Sequence, residues 1–228
     1  MPGIVGLITE MPRAEAQQQL ERMVALLRHE SFYEIGTWID ESAGVYVGWS
    51  ARKGSFSDGM PLCSQRGDTV LVFSGEEFSK PGIAHSLKEH GRGLPETGPG
   101  YLVQSYGEDP SFPANLNGRF QGLLVDRARG TSTLFNDRYG MHRVYYHEAK
   151  EGFYFGAEAK AILAVRPELR RVDLRGLGEF IACGCVLENR TIFEGIHVLP
   201  GAAAWVFRNG LVQSKNQYFD PREWEDQT

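Results

Sequence analysis

The sequence predicts an α+β fold in which two mainly antiparallel β-sheets pack face to face, with helices on the outside. Three observations predict it. An apolar run of strand length begins almost at the first residue, short strands follow one another in close-set hairpins, and helical segments flank the strand clusters at both ends of the chain. With 228 residues, the chain is long enough for one domain with a buried core.

The N-terminal third of the sequence alternates strand and helix patterns. We expect residues 3–8 of the first apolar run to form a central, buried strand, although chain termini usually fray. Residues 12–29 predict a helix, since Leu20, Met23, Val24 and Leu27 recur at helical spacing and Pro12 suits a first turn. β-Branched and aromatic residues predict strands at 45–49 and 69–73. Short helical patterns predict helices at 81–90 and 100–106, and clustered glycines predict a loop at 91–100.

From residue 118 onward the pattern becomes one of hairpins. Short turns separate the predicted strands, which lie at 119–126, 131–136, 143–147, 153–156, 202–207 and 211–214. The last of these turns carries the hairpin signal Asn209-Gly210. Residues 157–165 and 173–182 predict helices, the second capped by Asp173. Residues 1–217 therefore form the predicted domain, and residues 218–228 are expected to be a linker or tail.

Composition and charge exclude several classes of function. The net charge is −5 and no basic run is present, which argues against nucleic acid or an anionic membrane as a partner. No stretch has the length of a signal peptide or a transmembrane helix. The three cysteines suggest a reducing compartment, and we expect a cytoplasmic protein. Cys183 and Cys185 have poor spacing for zinc and are predicted to be small buried thiols.

Six segments, in order along the chain, carry a family resemblance. They are 1–6 (MPGIVG), 74–78 (SGEEF), 116–120 (LNGRF), 136–140 (NDRYG) followed by 144–146 (VYY), 155–161 (FGAEAKA) and 199–201 (LPG). Together they resemble the class II glutamine amidotransferases, whose corresponding segments read MCGIVG, NGEIY, LxGxF, RDxxG followed by PLY, FASExKA and PPG or LPG. The spacing and the last two motifs resemble the asparagine synthetase branch.

This resemblance implies a four-layer α/β/β/α sandwich of the N-terminal-nucleophile class. It implies no cofactor for the domain itself. It also implies a C-terminal synthetase domain that uses ATP and magnesium, and that domain would begin where this sequence stops. The expected partner is therefore that synthetase domain or a second copy of the chain.

The resemblance places the nucleophile of the family at Pro2. In the family this residue is a cysteine whose thiol attacks the glutamine side-chain amide while its own α-amine acts as the base. Proline has no nucleophilic side-chain atom, so it cannot form the acyl intermediate. The sequence therefore predicts that glutamine hydrolysis has been lost.

Three further positions of the predicted glutamine pocket depart from the family or match it weakly. Ser74 stands where the family has the oxyanion-hole Asn, although Gly75 keeps the neighbouring backbone N–H. Gly100 ends the segment in which the family carries the carboxylate for the substrate amine. Arg52 matches the arginine for the substrate carboxylate only after a shift of one residue. Gly75 has a simpler explanation, since a turn can require its backbone.

Other polar residues have structural explanations. Asp137 and Arg138 are expected to form a turn with a local ion pair, and Glu158 and Lys160 are expected at the start of a helix. The spacing of His85, His90, His142 and His147 does not suggest a catalytic triad.

The leading hypothesis is an asparagine-synthetase-like protein whose degenerate glutaminase domain acts as the structural and interface half of an amide-forming enzyme. One alternative is an enzyme that uses the Pro2 amine as a base after removal of Met1. Another is a stand-alone binding or scaffold protein. Under the leading hypothesis, one face of the sandwich that includes residues 136–146 should be an interface and should expose apolar residues.

Overall fold

Two six-stranded sheets, with every strand pair antiparallel, form the centre of the molecule in the computed structural model, which describes residues 2–78, 99–109 and 111–224. The first sheet, sheet A, contains in spatial order β10 (His197–Val198), β8 (Tyr145–Ala149), β9 (Gly152–Gly156), β1 (Gly3–Thr9), β3 (Val45–Arg52) and β2 (Tyr33–Asp40). The second, sheet B, contains β12 (Leu211–Gln217), β11 (Ala203–Arg208), β7 (Thr131–Asn136), β6 (Gly118–Asp126), β5 (Thr69–Glu77) and β4 (Leu62–Cys63).

Helices cover the outer faces of both sheets. The described α-helices are α1 (Arg13–Ala25), α2 (Tyr101–Glu108), α3 (Ala159–Val165) and α4 (Leu174–Cys183). Two short 3₁₀ turns occupy Pro167–Leu169 and Pro221–Trp224. Helices α1 and α3 pack on sheet A and α2 packs on sheet B, so the predicted α/β/β/α order of layers is confirmed.

The period-two alternation of the strands builds three apolar layers from the same residues. In β1, Ile4 and Ile8 point between the sheets, while Val5 and Leu7 point toward α1 and α3. In β6, Leu123 points between the sheets and Leu124 points toward α2. The predicted burial of the first strand is confirmed, because β1 lies between β3 and β9 and all seven of its residues are buried.

Most predicted elements are present with shifted ends. Helix α1 ends at Ala25 rather than residue 29, although Leu27 beyond it is still buried. Strand β2 and the short strands β4 and β10 are absent from the prediction. The predicted cap of Asp173 on α4 is confirmed by a hydrogen bond from the Gly176 amide. The helix predicted at 81–90, most of the loop at 91–100, and His85 and His90 lie outside the described residues.

Two local expectations are wrong. Cys183 and Cys185 are exposed free thiols, because no other part of the described chain covers the end of α4. Cys63, on β4, is also an exposed free thiol. The Arg138 guanidinium does not pair with Asp137; it donates to the Ala114 carbonyl at 3.2 Å and lies over the ring of Phe219.

Within the described residues, no helix is both long enough and apolar enough to cross a membrane.

Candidate functional site

A half-open cavity of about 950 Å³ lies where the first strand of sheet A begins and the central strands of sheet B meet. Pro2 lines it, immediately before β1. The end of β5, the start of β6, the loop before β8 and the start of α3 supply most of the remaining wall. These segments are distant in sequence, so only the packing of the two sheets brings them together.

Gly3 allows the start of β1 to lie beside this cavity. A Cβ atom at residue 3 would lie 2.2 Å from the Cβ of Ala157, which is closer than any real contact. The Ala157 amide also donates to the Ile4 carbonyl at 2.8 Å. The glycine therefore allows β1 to lie against the start of α3, which fixes Pro2 at the cavity wall.

Gly75 also lines the cavity, but Ser57 occupies its backbone groups. The Gly75 amide donates to the Ser57 hydroxyl oxygen at 2.8 Å, and that hydroxyl donates to the Gly75 carbonyl at 2.7 Å. Gly75 has a φ of +120°, and a Cβ there would lie 2.1 Å from the Arg119 carbonyl oxygen. The backbone of this strand irregularity thus requires glycine whether or not the amide binds a ligand.

The other three predicted pocket residues do not line the cavity. Ser74 is buried in β5, and its hydroxyl has no hydrogen-bond partner within the described chain. Arg52 is exposed at the end of β3, and Gly100 precedes the first residue of α2. The structure therefore brings together two of the five predicted positions, Pro2 and Gly75.

Asp137 stabilises the turn after β7 that forms part of the cavity wall. Its buried carboxylate accepts hydrogen bonds from the backbone amides of Phe120, Tyr139, Met141 and His142 at 2.9–3.3 Å. These bonds fix the turn that follows β7 and hold the His142 backbone in place. Asp137 is thus the structural turn residue that the sequence predicts, with amide donors in place of the expected ion pair.

His142 and Gln121 form a neutral pair in the wall. The Gln121 Nε2 lies 3.1 Å from the His142 Nδ1, and burial lowers the pKa of His142 despite the opposing effect of Asp137. In this orientation of the amide, the Gln121 Nε2 donates and the His142 Nδ1 accepts. Gln121 Oε1 is buried and has no partner within the described residues.

Glu158, which also lines the cavity, binds His29 and Lys160. Its carboxylate lies 2.6 Å from His29 Nε2 and 3.1 Å from Lys160 Nζ. Burial raises the pKa of Glu158, but His29 and Lys160 more than offset that effect, so the pKa lies below its usual value. Glu158 precedes the first residue of α3, as the sequence predicts, and ties that helix to the end of α1.

The hydroxyl, amide and charged side chains of the described wall can bind a polar ligand. The wall contains no thiol, and the Ser57 hydroxyl already bonds to Gly75 at both its donor and acceptor positions. Sequence reasoning missed Ser57, Gln121, Arg119 and Arg143 as cavity residues. Gln121 carried a usable signal, because a polar side chain inside an apolar strand run is seldom buried without a purpose.

Within the described part of the chain, no group of three or more His, Cys, Asp or Glu residues is arranged to hold a metal ion.

Helix α4 is a second unusual feature, because its apolar residues face outward. Leu174 is 80% exposed and Ile181 is 75% exposed, and Phe180 also lies largely in solvent. Gly176 is the only residue of the helix classed as buried. Val172, Leu187 and Ile192 extend this exposed apolar face on the flanking loops. In segment 136–146, which the sequence predicts as an interface, the exposed large apolar residues are Tyr139 and Met141.

Comparison with known proteins adds a family to this geometry. The family model of a glutamine amidotransferase domain matches residues 1–219. Asparagine synthetase [glutamine-hydrolyzing] 3 of Bacillus subtilis is 32% identical over 155 residues, which cover 65% of this chain and 25% of that protein. Amidase chyE of Penicillium rubens is 35% identical over 103 residues, covering 44% of this chain and 14% of that protein. The matched region is thus a quarter or less of either relative's length.

Solved structures share the fold at low sequence identity. The allosteric regulatory enzyme of purine biosynthesis aligns with a TM-score of 0.61 at 11% identity, over 96% of this chain and 48% of that chain. The glutamine phosphoribosylpyrophosphate amidotransferase of B. subtilis aligns with a TM-score of 0.58 at 11% identity, over 96% of this chain and 49% of that chain. At this identity the likeness concerns the architecture of the two sheets and their helices.

Proposed function

Since this chain belongs to the glutamine amidotransferase domain family and is related to asparagine synthetase, we propose that it is a degenerate member that no longer hydrolyses glutamine. The observation that carries this proposal is Pro2 at the cavity wall, at the position where the family resemblance expects the nucleophilic cysteine. The bonds between Ser57 and Gly75 support it, because the remaining oxyanion donor is already engaged.

An ammonia-release assay tests the loss of activity. The purified chain should release no ammonia from L-glutamine above the buffer rate, because Pro2 offers no nucleophilic side chain at the position of the family's cysteine. Pro2→Cys alone should not restore full activity, since a missing oxyanion donor typically costs about 10²–10³ in rate. Ammonia release by the unaltered chain at an enzymatic rate would refute the proposal.

We further propose that the domain serves as the structural half of a larger protein, docked to an ATP-dependent amide-forming synthetase domain. The exposed apolar face formed by α4 and its flanking loops supports a docking role, because large exposed apolar patches mark interaction surfaces. The matched relatives are several times longer than the matched region, which supports a partner in the same chain. ATP and magnesium would belong to that partner.

Thiol labelling tests this docking role. Cys183 and Cys185 lie at and just beyond the end of α4, and Cys63 lies on β4 as an exposed internal control. With the synthetase domain present, alkylation of Cys183 and Cys185 should slow relative to the isolated chain, while Cys63 should not change. Unchanged labelling of all three thiols would contradict the role.

The three free, exposed thiols also support the proposal that the protein resides in a reducing compartment, the cytoplasm. Cell fractionation tests that location, and recovery of the protein from a secreted or periplasmic fraction would contradict it.

A further inference from the structure

The cavity wall keeps two arginines that the fold itself does not use. Arg119 lies on β6 and Arg143 lies just before β8, and both are exposed at the cavity. Within residues 2–78, 99–109 and 111–224, neither makes an ion pair or a side-chain hydrogen bond. Lys160, the third cation of the wall, is instead paired with Glu158 at 3.1 Å. Two guanidinium groups at one cavity are therefore available to an anion.

The charge of the wall favours a singly charged anion. Three cationic side chains face two carboxylates, those of Glu76 and Glu158, so the wall has one formal positive charge in excess, histidines aside. The whole chain carries −5. A positive cavity in an acidic protein concentrates anions locally, and a planar guanidinium matches a carboxylate in two-point geometry. A doubly charged phosphate would exceed the positive charge that the wall supplies.

Gln121 provides a second, independent indication of a ligand. Its side chain is 1% exposed and lines the cavity, and its Oε1 has no partner within the described residues. An unsatisfied buried acceptor is costly, so native proteins usually supply a donor from the protein, from water or from a ligand. Since the Nε2 of the same amide is held by His142, the Oε1 is fixed in position to accept a hydrogen bond.

We propose that the cavity binds, without cleaving it, a small organic molecule that carries one carboxylate and one N–H or O–H donor. Arg119 and Arg143 hold the carboxylate, and Gln121 Oε1 accepts from the donor. The volume of about 950 Å³ lies near the upper end of ordinary ligand pockets and accommodates a molecule larger than a free amino acid. These three residues are not among the predicted positions of the glutamine pocket, which are Arg52, Ser74, Gly75 and Gly100; of those four, Gly75 lines the cavity.

Calorimetric titration with N-benzoylglycine tests the proposal, since this probe has one carboxylate, one amide N–H and an aromatic group. It should bind saturably with a Kd of ~1 mM or tighter. Its neutral carboxamide should bind at least about tenfold more weakly because the charge is lost. Its N-methyl analogue should also bind about tenfold more weakly because Gln121 then lacks a donor.

Matched variants locate the site. Arg119→Gln and Arg143→Gln should each weaken binding of N-benzoylglycine by about tenfold or more, with unchanged thermal melting because both side chains are exposed. Arg208→Gln, an exposed arginine on β11 outside the cavity wall, should leave the affinity unchanged.

Three results would overturn the proposal: no saturable binding up to about 10 mM, equal binding of the acid and its carboxamide, or equal affinities in the three variants. The binding measurement is separate from the ammonia and thiol assays, so failure of the proposed function would leave this result readable.

Discussion

At the scale of single residues, polar groups in the cavity wall satisfy one another's hydrogen bonds in pairs. Ser57 is the clearest example, because one hydroxyl serves both the amide and the carbonyl of Gly75. Gly75 keeps its place opposite Phe120 in the pairing of β5 with β6, although its φ of +120° is one that only glycine adopts readily. The same hydroxyl therefore stabilises this backbone conformation and engages the Gly75 amide.

Ser57→Ala should lower the free energy of unfolding by about 1–3 kcal/mol, because it leaves two backbone groups of Gly75 without their partner. Urea denaturation measures the change. The matched control is Ser55→Ala, an exposed hydroxyl in the same loop, which should change stability by less than about 0.5 kcal/mol. Equal effects of the two substitutions would show that the Ser57 bonds do not matter to the fold.

At the scale of elements, α4 differs from the other described helices in how little of it is buried. Helix α1 buries four residues against sheet A, including Leu20 and Met23, while α4 buries only Gly176. Both ends of α4 are nevertheless well formed: Asp173 caps the first turn, and Gly184 follows the last turn in the left-handed conformation. A well-capped helix with an exposed apolar face is what a docking surface requires.

Ile181→Asp in α4 should change the stability of the isolated chain by less than about 0.5 kcal/mol, because this side chain is 75% exposed. The same change should weaken docking of the proposed synthetase domain by about tenfold or more, since it places a charge in an apolar interface. Binding titration and urea denaturation measure the two effects.

The control for this substitution is Leu211→Asp, on β12, where the side chain is also exposed. It should leave docking unchanged. If Leu211→Asp weakened docking as strongly as Ile181→Asp, the interface would not be specific to α4.

At the scale of the whole molecule, the ion pair between Asp40 and Arg127 joins the two sheets at one edge. Asp40 ends β2 of sheet A, and its Oδ2 accepts from Arg127 Nε at 2.7 Å in the turn after β6 of sheet B. Ser42 and the Ala43 amide donate to the other carboxylate oxygen. Burial raises the pKa of Asp40, but Ser42, Arg127 and the Ala43 amide more than offset this, so the pKa lies below its usual value.

Asp40→Asn should lower the free energy of unfolding at neutral pH by about 1–3 kcal/mol, because it removes the charged acceptor between the sheets. A carboxyl whose folded pKa is depressed stabilises the fold above its unfolded pKa, about 3.9, and loses that contribution as the pH falls through the folded pKa. The difference between wild type and variant should therefore shrink in acid.

Urea denaturation at neutral pH and at about pH 3 measures this dependence. Glu41→Gln is the control, since within the described residues the exposed Glu41 side chain makes only a long contact of 3.5 Å to Arg13 and should contribute little. A difference between wild type and Asp40→Asn that grew in acid would contradict the assignment.

The sequence by itself determined the two-sheet architecture, the buried first strand and the family resemblance. These features rest on local patterns: alternation along a strand, helical spacing and short motifs that depend on neighbouring residues. Local patterns do not show which residues line the cavity, because those residues are far apart in the sequence. Ser57 meets Gly75 across 18 positions, Gln121 meets His142 across 21 and His29 meets Glu158 across 129.

Tertiary structure also decided which apolar residues are exposed. Helix α4 has the composition of a buried helix, and its cysteines were expected inside, yet nothing in the described chain covers it. Local sequence specifies that a residue is apolar, but burial depends on whether another surface lies opposite. Only the arrangement of both sheets and their helices shows that α4 lacks such a surface, and that Arg119, Arg143 and Gln121 share one cavity.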